Sequence, residues 1–336
     1  MIRIAINGFG RIGRSFLRAL VTDAHALEKI KIVALNVGNA SLKTIAHSFT
    51  YDTLMGTFQG KAIVDGDYLV INDTMRIALV AECDAEKLPW KSMDIDWVVD
   101  CSGQFTCKKD AQKHQLAGAR SVLISAPSKD ADVSIIVGVN QHLFDAQKHT
   151  IVSLGSCTTN AVTPVLKVMQ DAFSIISVAM TTVHAYTNNQ VLLDVEQDDV
   201  RRSRAAALNI IPTTTGAMAS VQQVLPELAG KMTGCSLRVP VAKVSLIDVA
   251  LITEKKVTIE SIHAALYAAS NGSMQGVMCM SEELLVSSDY AGNGASVIID
   301  TSMTAVVGSL SKIFGWYDNE WAYSVRLKDF LVLVSR

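Results

Sequence analysis

The chain has 336 residues, 49% of them hydrophobic and 18% charged, with a formal net charge of -2. That length suggests about two domains, the composition excludes a disordered chain, and no single-sign block of charge reads as an interaction tail, so neither nucleic acid nor a membrane surface is an expected partner. No apolar run approaches the roughly 20 residues of a membrane span, the amino terminus lacks signal-peptide organisation, and the cysteines at 83, 101, 107, 157, 235 and 279 show neither CxxC nor zinc spacing, so a reduced, metal-free, cytoplasmic protein is expected.

In chain order, Ile2 to Asn7 is a short apolar run that reads as a strand. It ends in Asn7-Gly8-Phe9-Gly10-Arg11-Ile12-Gly13, after which Ile12, Phe16 and Leu20 recur at helical spacing. Strand, glycine turn and helix in that order form a dinucleotide cradle. Gly8 permits the tight turn, Gly10 lets the backbone approach a pyrophosphate, and Gly13 lets helix pack on strand. A second strand, Ile32 to Leu35, follows at the βαβ distance, but runs into Asn36-Val37-Gly38-Asn39 with no carboxylate to bind the adenosine ribose. The sequence therefore does not separate NAD from NADP.

Further apolar runs at Ile77 to Val80, Trp97 to Cys101, Ser121 to Ser125 and Ser134 to Val139 alternate with polar or helical stretches such as Lys108 to Ala119. This alternation predicts a doubly wound parallel, Rossmann-type α/β sheet up to about residue 155. Ligands gather at strand ends in such sheets, which makes Cys101-Ser102-Gly103 and Ser125-Ala126-Pro127 candidate cofactor contacts, although each taken singly is more often an ordinary turn.

Beyond that point Ser156-Cys157-Thr158-Thr159-Asn160 precedes Val162, Val165, Leu166, Met169 and Phe173, the spacing of one helix face, and so places Cys157 at a helix start. Free N–H groups and the helix dipole there are expected to lower a thiol pKa and to hold an oxyanion. A lone cysteine is more often a small buried hydrophobe, and a lone histidine a structural one. Here, however, the strand Ile175 to Val183 delivers His184, and a thiolate–imidazolium pair is one way to activate a nucleophile. Arg201, Arg202 and Arg204 form a basic cluster that also reads as a solvated face, whereas Arg238 opens an apolar strand and would need an anionic partner if buried. Thr213 to Gly216 offers hydroxyls and N–H groups suited to phosphate. Long strands at Leu237 to Ile252, Ser296 to Ile299 and Thr304 to Val307, with helices around Ala217 to Leu225 and Ile259 to Ala269, predict a second α+β domain with a mainly antiparallel sheet covered by helices on one face. The active site is expected between the domains.

These signposts, with Thr182 to Thr187, Arg201 to Arg204, Asn209 to Gly216, Leu225 to Leu228, Arg238 to Pro240 and above all Trp316-Tyr317-Asp318-Asn319-Glu320, resemble those of the phosphorylating glyceraldehyde-3-phosphate dehydrogenases over essentially the whole length. The resemblance implies a Cys157 nucleophile with His184 as general base. It implies inorganic phosphate on Ser156, Thr158, Thr215 and Gly216, and the substrate's own phosphate on Thr187, Arg202 and Arg238. The cofactor, NAD or NADP, would lie on Gly8, Gly10, Arg11, Ile12, Gly13 and Asn36, with Ser125, Asn319 and Tyr323 around the nicotinamide. The resemblance further implies a homotetramer acting on a phosphorylated aldehyde. It returns the carboxy-terminal helix to the cofactor domain, giving domains of 1–155 plus 318–336 and 156–317.

Several positions depart from the family pattern. Val37 stands where an acidic residue is usual, Val195-Glu196 where NAD-selective members have Leu-Pro, Cys83 where many have an adenine-side arginine, Asn189 for a frequent Asp, and Ala161 for a second cysteine. Erythrose-4-phosphate dehydrogenase and a non-catalytic nucleotide-binding interaction protein are the alternative readings.

Overall fold

The computed structural model describes residues 1–335, which fall into two compact units: 1–135, 142–155 and the chain from Ser324 on, and 136–141 with 156–323. Unit 1 contains β1 (Ile2–Asn7), α1 (Arg11–Val21), α2 (Ala24–Lys29), β2 (Ile30–Asn36), α3 (Leu42–Thr50), β3 (Ala62–Asp65), β4 (Tyr68–Ile71), β5 (Met75–Val80), β6 (Trp97–Asp100), α4 (Lys108–Leu116), β7 (Ser121–Ile124), β8 (Val133–Ser134) and β9 (Ile151–Ser153). They form a sheet in the order β3-β4-β5-β2-β1-β6-β7-β9-β8, parallel from β5 to β8.

The central strands are largely apolar because both faces are covered; all four residues of β6 are buried. Helix α1 turns Phe16, Leu17 and Leu20 inward. The β3–β4 hairpin was not foreseen and adds an antiparallel edge. Its turn contains Gly66, whose φ of 56° suits glycine. Strand β8 is also shorter than the predicted run Ser134 to Val139. The chain turns there because Asn140 Oδ1 accepts from Ile136 N at 2.7 Å and Gly138 has φ 90°. The order β2-β1-β6 reverses the winding direction at β1, so the end of β1 is the switch point where doubly wound sheets take ligands.

Unit 2 contains α5 (Cys157–Phe173), β10 (Ile175–Ala185), β11 (Ile211–Thr213), α6 (Ala217–Val224), β12 (Met232–Val239), β13 (Ser245–Thr253), α7 (Ile259–Ser270), β14 (Met278–Ser281), β15 (Val297–Val307) and β16 (Leu310–Tyr317). The last helix, α8 (Trp321–Val334), begins here and passes into unit 1, where Phe330 sits edge-on to Trp97. The sheet order is β11-β12-β10-β13-β16-β15-β14, with four antiparallel pairs and two parallel ones, β10·β12 and β14·β15.

Strand β13 alternates strictly, turning Ile247, Val249 and Leu251 onto a core shared with Val165 and Met169 of α5, Val221 of α6 and Leu266 of α7. The apolar stretch from Leu237 to Ile252 is two strands rather than one. Pro240 lacks an N–H and Val244 has φ 68°, so the ladder breaks between them. The segments Ser296 to Ile299 and Thr304 to Val307 instead belong to the single strand β15, whose register shifts between Asp300 and Ala305.

Candidate active site

The reactive side chains lie in unit 2. Ser156 caps α5, its Oγ accepting from Thr159 N at 3.1 Å, and Cys157 is the first helical residue. Cys157 is partly buried and packs against the unit 2 core. Its Sγ stands 3.5 Å from Nε2 of His184, the penultimate residue of β10, which is only 4% exposed. Strands β10 and β12 run parallel with His184 opposite Arg238, so both side chains leave the sheet on the same face. Arg238 Nη1 lies 2.7 Å from His184 Nδ1 and donates to Ala185 O at 3.0 Å.

Neither reactive group is charged in this arrangement. Burial pushes the Cys157 thiol above its usual range despite the opposing field of Arg238 and the Thr158 hydrogen bonds. Burial, then the Arg238 charge, lowers His184 to about 3. The thiolate–imidazolium pair expected from the sequence is therefore a neutral thiol–imidazole pair here. The expectation counted the favourable helix terminus; it had no means to count desolvation, which is the larger effect.

Around this pair lie further groups, among them Tyr317 and Ser245, to which the sequence assigned no role. The Tyr317 hydroxyl sits between Thr158 Oγ1 at 2.9 Å and Thr182 Oγ1 at 2.8 Å. Its ring meets that of His184 edge-on, with centroids 6.0 Å apart. The Thr158 hydroxyl is thus already engaged. Ser245 Oγ accepts from Ala185 N at 3.1 Å and donates to Asn319 Oδ1 at 3.3 Å, tying the end of β10 to Asn319. Tyr317 lies inside the Trp-Tyr-Asp-Asn-Glu run and Thr182 opens the Thr182 to Thr187 signpost, which were the available signals; Ser245 carried none.

The phosphate-binding candidates are placed as follows. Arg202 donates from Nε and Nη2 to Thr213 Oγ1 and pairs with Asp199 at 3.3 Å. Arg204 pairs with Asp194, so two of the three arginines of the basic cluster are paired within their own segment. Among the described residues Arg238 has no carboxylate partner. Thr187 N donates to Gln190 Oε1, and Thr215 and Gly216 stand at the start of α6, where Thr215 Oγ1 accepts from Ala217 N. Tyr323 is buried in the first turn of α8.

Unit 1 carries the glycine turn. A Cβ on Gly8, with φ 93°, would fall 2.7 Å from Ser102 Cα, and one on Gly13 would fall 2.2 Å from Gly8 O. Both positions therefore exclude a side chain. A Cβ on Gly10 would meet nothing within 4 Å. Gly10 precedes α1 without a side-chain cap, so the open space above it faces the unpaired N–H groups of the first turn, where Arg11 and Ile12 lie. Arg11 is held by Asp52, which also stands 3.8 Å from Arg14. Burial would raise the Asp52 carboxyl, but hydrogen bonds from Arg11 and from Met55 N hold it below the usual range.

Beneath the turn a buried network joins four strand ends. Asn36 Nδ2 donates to Asn7 Oδ1, Asn7 Nδ2 donates to Asp100 Oδ2, and Ser102 Oγ donates to Asp100. Asn36 also bonds both backbone groups of Glu82. Trp90 Nε1, which can only donate, points at His114 Nδ1 at 3.2 Å, which puts the His114 proton on Nε2, 3.4 Å from Asp100. Val37 is buried, and the Glu82 carboxylate is turned onto Cys83 N and Asp84 N. Beside it, Cys83, Asp84, Gln104, Phe105 and Lys113 line a cavity of about 270 Å³. Ser125 N donates to Asp100 O at the neighbouring strand end.

Residues 2–108 match the family described as glyceraldehyde 3-phosphate dehydrogenase, NAD binding domain, and residues 156–319 match its C-terminal domain. The chain is 45% identical to glyceraldehyde-3-phosphate dehydrogenase 2 of Trichormus variabilis over 100% of its own length and 99% of that protein's. The chain belongs to the glyceraldehyde-3-phosphate dehydrogenase family. The enzyme of that name from Geobacillus stearothermophilus is 44% identical, covering 99% of this chain and 98% of its own. Glyceraldehyde-3-phosphate dehydrogenase 2 of Bacillus subtilis is likewise 44% identical over 98% of the chain and 96% of its own length. The family's dinucleotide domain thus coincides with the glycine turn, and its C-terminal domain with Cys157, His184 and Arg238. No helix among the described residues is long and apolar enough to cross a membrane, and no group of three or more His, Cys, Asp or Glu residues is placed to hold a metal ion.

The glycine geometry separates a folding role from a binding role. Gly10→Ala is expected to change folding stability by less than about 1 kcal/mol while weakening dinucleotide binding by about tenfold or more, since the methyl group fills the space left for the ligand. Calorimetric titration with NAD and NADP beside a melting curve checks both halves; unchanged affinity would remove the pyrophosphate from this turn.

Proposed function

We propose that the chain oxidises glyceraldehyde 3-phosphate to an acyl phosphate, consuming inorganic phosphate and a nicotinamide dinucleotide. The observation that carries this reading is the 3.5 Å approach of Cys157 Sγ to His184 Nε2 beside an Arg238 that has no carboxylate partner among the described residues. The Cys157 sulfur attacks the aldehyde carbon and forms a C–S bond, its proton passing to His184 Nε2. The resulting oxyanion is stabilised by the helix-terminal N–H groups of α5. His184 Nε2 returns this proton to the oxyanion, giving the neutral hemithioacetal, and withdraws it again as the hydride leaves. The bound nicotinamide supplies the acceptor for the aldehyde hydride, which leaves a thioester on Sγ. Inorganic phosphate attacks the thioester carbon, the C–S bond breaks, and Cys157 returns as thiolate.

Arg238, Arg202 and Thr187 are assigned to the substrate's phosphate, and Ser156, Thr158, Thr215 and Gly216 to inorganic phosphate. Gly8, Gly10, Arg11, Ile12, Gly13 and Asn36 are assigned to the dinucleotide; the roles of Ser125, Asn319 and Tyr323 at the nicotinamide rest on family resemblance alone. Unit 1 is accordingly the cofactor domain and unit 2 the substrate domain. A homotetramer follows from the same resemblance. The apolar side chains of Leu192, Leu193, Val200 and Leu208, each at least 70% exposed, support self-association.

Initial rates of nicotinamide reduction with glyceraldehyde 3-phosphate, with and without inorganic phosphate, test the reaction. Phosphate-independent turnover would exclude the acyl-phosphate product, and exclusive use of erythrose 4-phosphate would favour the alternative enzyme. We also propose that both NAD and NADP are accepted, because Val37 is buried and no carboxylate follows Asn36. Values of kcat/KM for the two are expected within about tenfold, or about 1.4 kcal/mol, of each other. A preference beyond about a hundredfold in either direction would show that another group reads the ribose.

A further inference from the structure

The contacts of His184 Nδ1 conflict unless Arg238 is counted. Nδ1 lies 2.6 Å from Ala185 O, a distance that calls for a proton between them. It also lies 2.7 Å from Arg238 Nη1, and a guanidinium only donates. With Arg238 in place Nδ1 must present its lone pair, and the ring proton is confined to Nε2, facing Cys157 Sγ. Arg238 Nη1 bridges the two acceptors by donating to Ala185 O as well. In this tautomer His184 cannot take a proton from the thiol, because Nε2 already carries one and Nδ1 is covered by a cation.

The groups facing the ring are Cys157 from α5, Arg238 from β12 and Tyr317 from β16; among the described residues no carboxylate does. The missing partner is thus an anion for Arg238. Resting on the function proposed above, we propose that Arg238 is a latch on His184, released when the phosphate of the substrate draws the guanidinium away from Nδ1. The ring proton then moves through solvent from Nε2 to Nδ1, which donates to Ala185 O, and Nε2 becomes free to accept from Cys157. No net charge is gained in that step, so it avoids the cost of a buried imidazolium. Arg238 is a positioning residue in this respect, acting on the proton-transfer step through His184. An aldehyde without a phosphate leaves the latch closed, which makes substrate selection a matter of turnover as well as of binding.

The ring-nitrogen NMR spectrum of histidine-labelled protein, with the His184 signals identified by their loss in His184→Asn, reads the tautomer directly. The probe is glycerol 3-phosphate, which carries the phosphate but no carbonyl, with its binding followed by calorimetry. Without it His184 is expected as the Nε2–H form, and at saturation as the Nδ1–H form, a change of about a hundredfold in their ratio. Arg238→Leu is expected to show the Nδ1–H form with no ligand at all. Binding of glycerol 3-phosphate without a change of tautomer overturns the latch and leaves the phosphate assignment standing. An Nδ1–H form in the ligand-free protein also overturns the latch, and failure to bind counts against both readings.

Discussion

Replacing His184 by asparagine is expected to lower kcat about 10²- to 10⁴-fold, with dinucleotide affinity unchanged. The magnitude is that of a lost general base, since Asn can fill the space and hydrogen-bond Ala185 O but cannot accept a proton. Sγ is 3.5 Å from Nε2, and the residue itself belongs to unit 2, whereas the glycine turn belongs to unit 1. The same variant carries a stability signature. The folded His184 is lowered to about 3, below the ordinary 6.5. Between those values the unfolded chain binds a proton that the folded chain does not, so stability falls as pH drops through 6.5, and the loss is complete only below the folded value. It amounts to a few kcal/mol at most. Denaturant midpoints measured from pH 7 down to pH 4 are thus expected to fall more steeply for the wild type than for His184→Asn. Parallel curves would mean that His184 is not held neutral, and near-normal turnover of the variant would end its assignment as base.

Cys157→Ser is expected to reduce turnover by at least about 10⁴-fold, because a serine hydroxyl is far less acidic than a thiol and a thioester cannot form. The substitution is nearly isosteric at a partly exposed position, so the fold and the cap by Ser156 are retained. Mass spectrometry of acid-quenched protein, after mixing with substrate and cofactor but without inorganic phosphate, should show an acyl adduct on the wild type and none on the variant. An adduct that persists in the variant would place the nucleophile at one of the other five cysteines. Cys101 is a poor candidate for that role, since burial and then the nearby Asp100 charge push its thiol far above the ordinary range.

Much of the site was legible because its signals are local. Gly8 and Gly13 are required by contacts to Ser102 and to the turn itself, and a turn of that shape shows in the spacing of its glycines. Ser156 and Cys157 fall at the start of α5 because the apolar positions that follow define one helix face. The hairpin at residues 62–71 was missed since its strands are short and half exposed, which weakens their alternation. Asp52, Asp100 and His114 were missed for another reason. Each acts through a partner 40 or more residues away or through complete burial, and neither leaves a pattern in sequence.

The sequence by itself determined the two kinds of sheet, the glycine cradle and the placing of a cysteine at a helix start, since periodicity and turn chemistry are properties of neighbouring residues. Only the tertiary structure decided that Arg238, 54 residues along the chain, sits on Nδ1 of His184 through the parallel register of β10 and β12. It also decided that Cys157 and His184 rest as a neutral pair. The physical reason is desolvation. What a buried group loses in hydration depends on which distant segments cover it, and no local pattern records them.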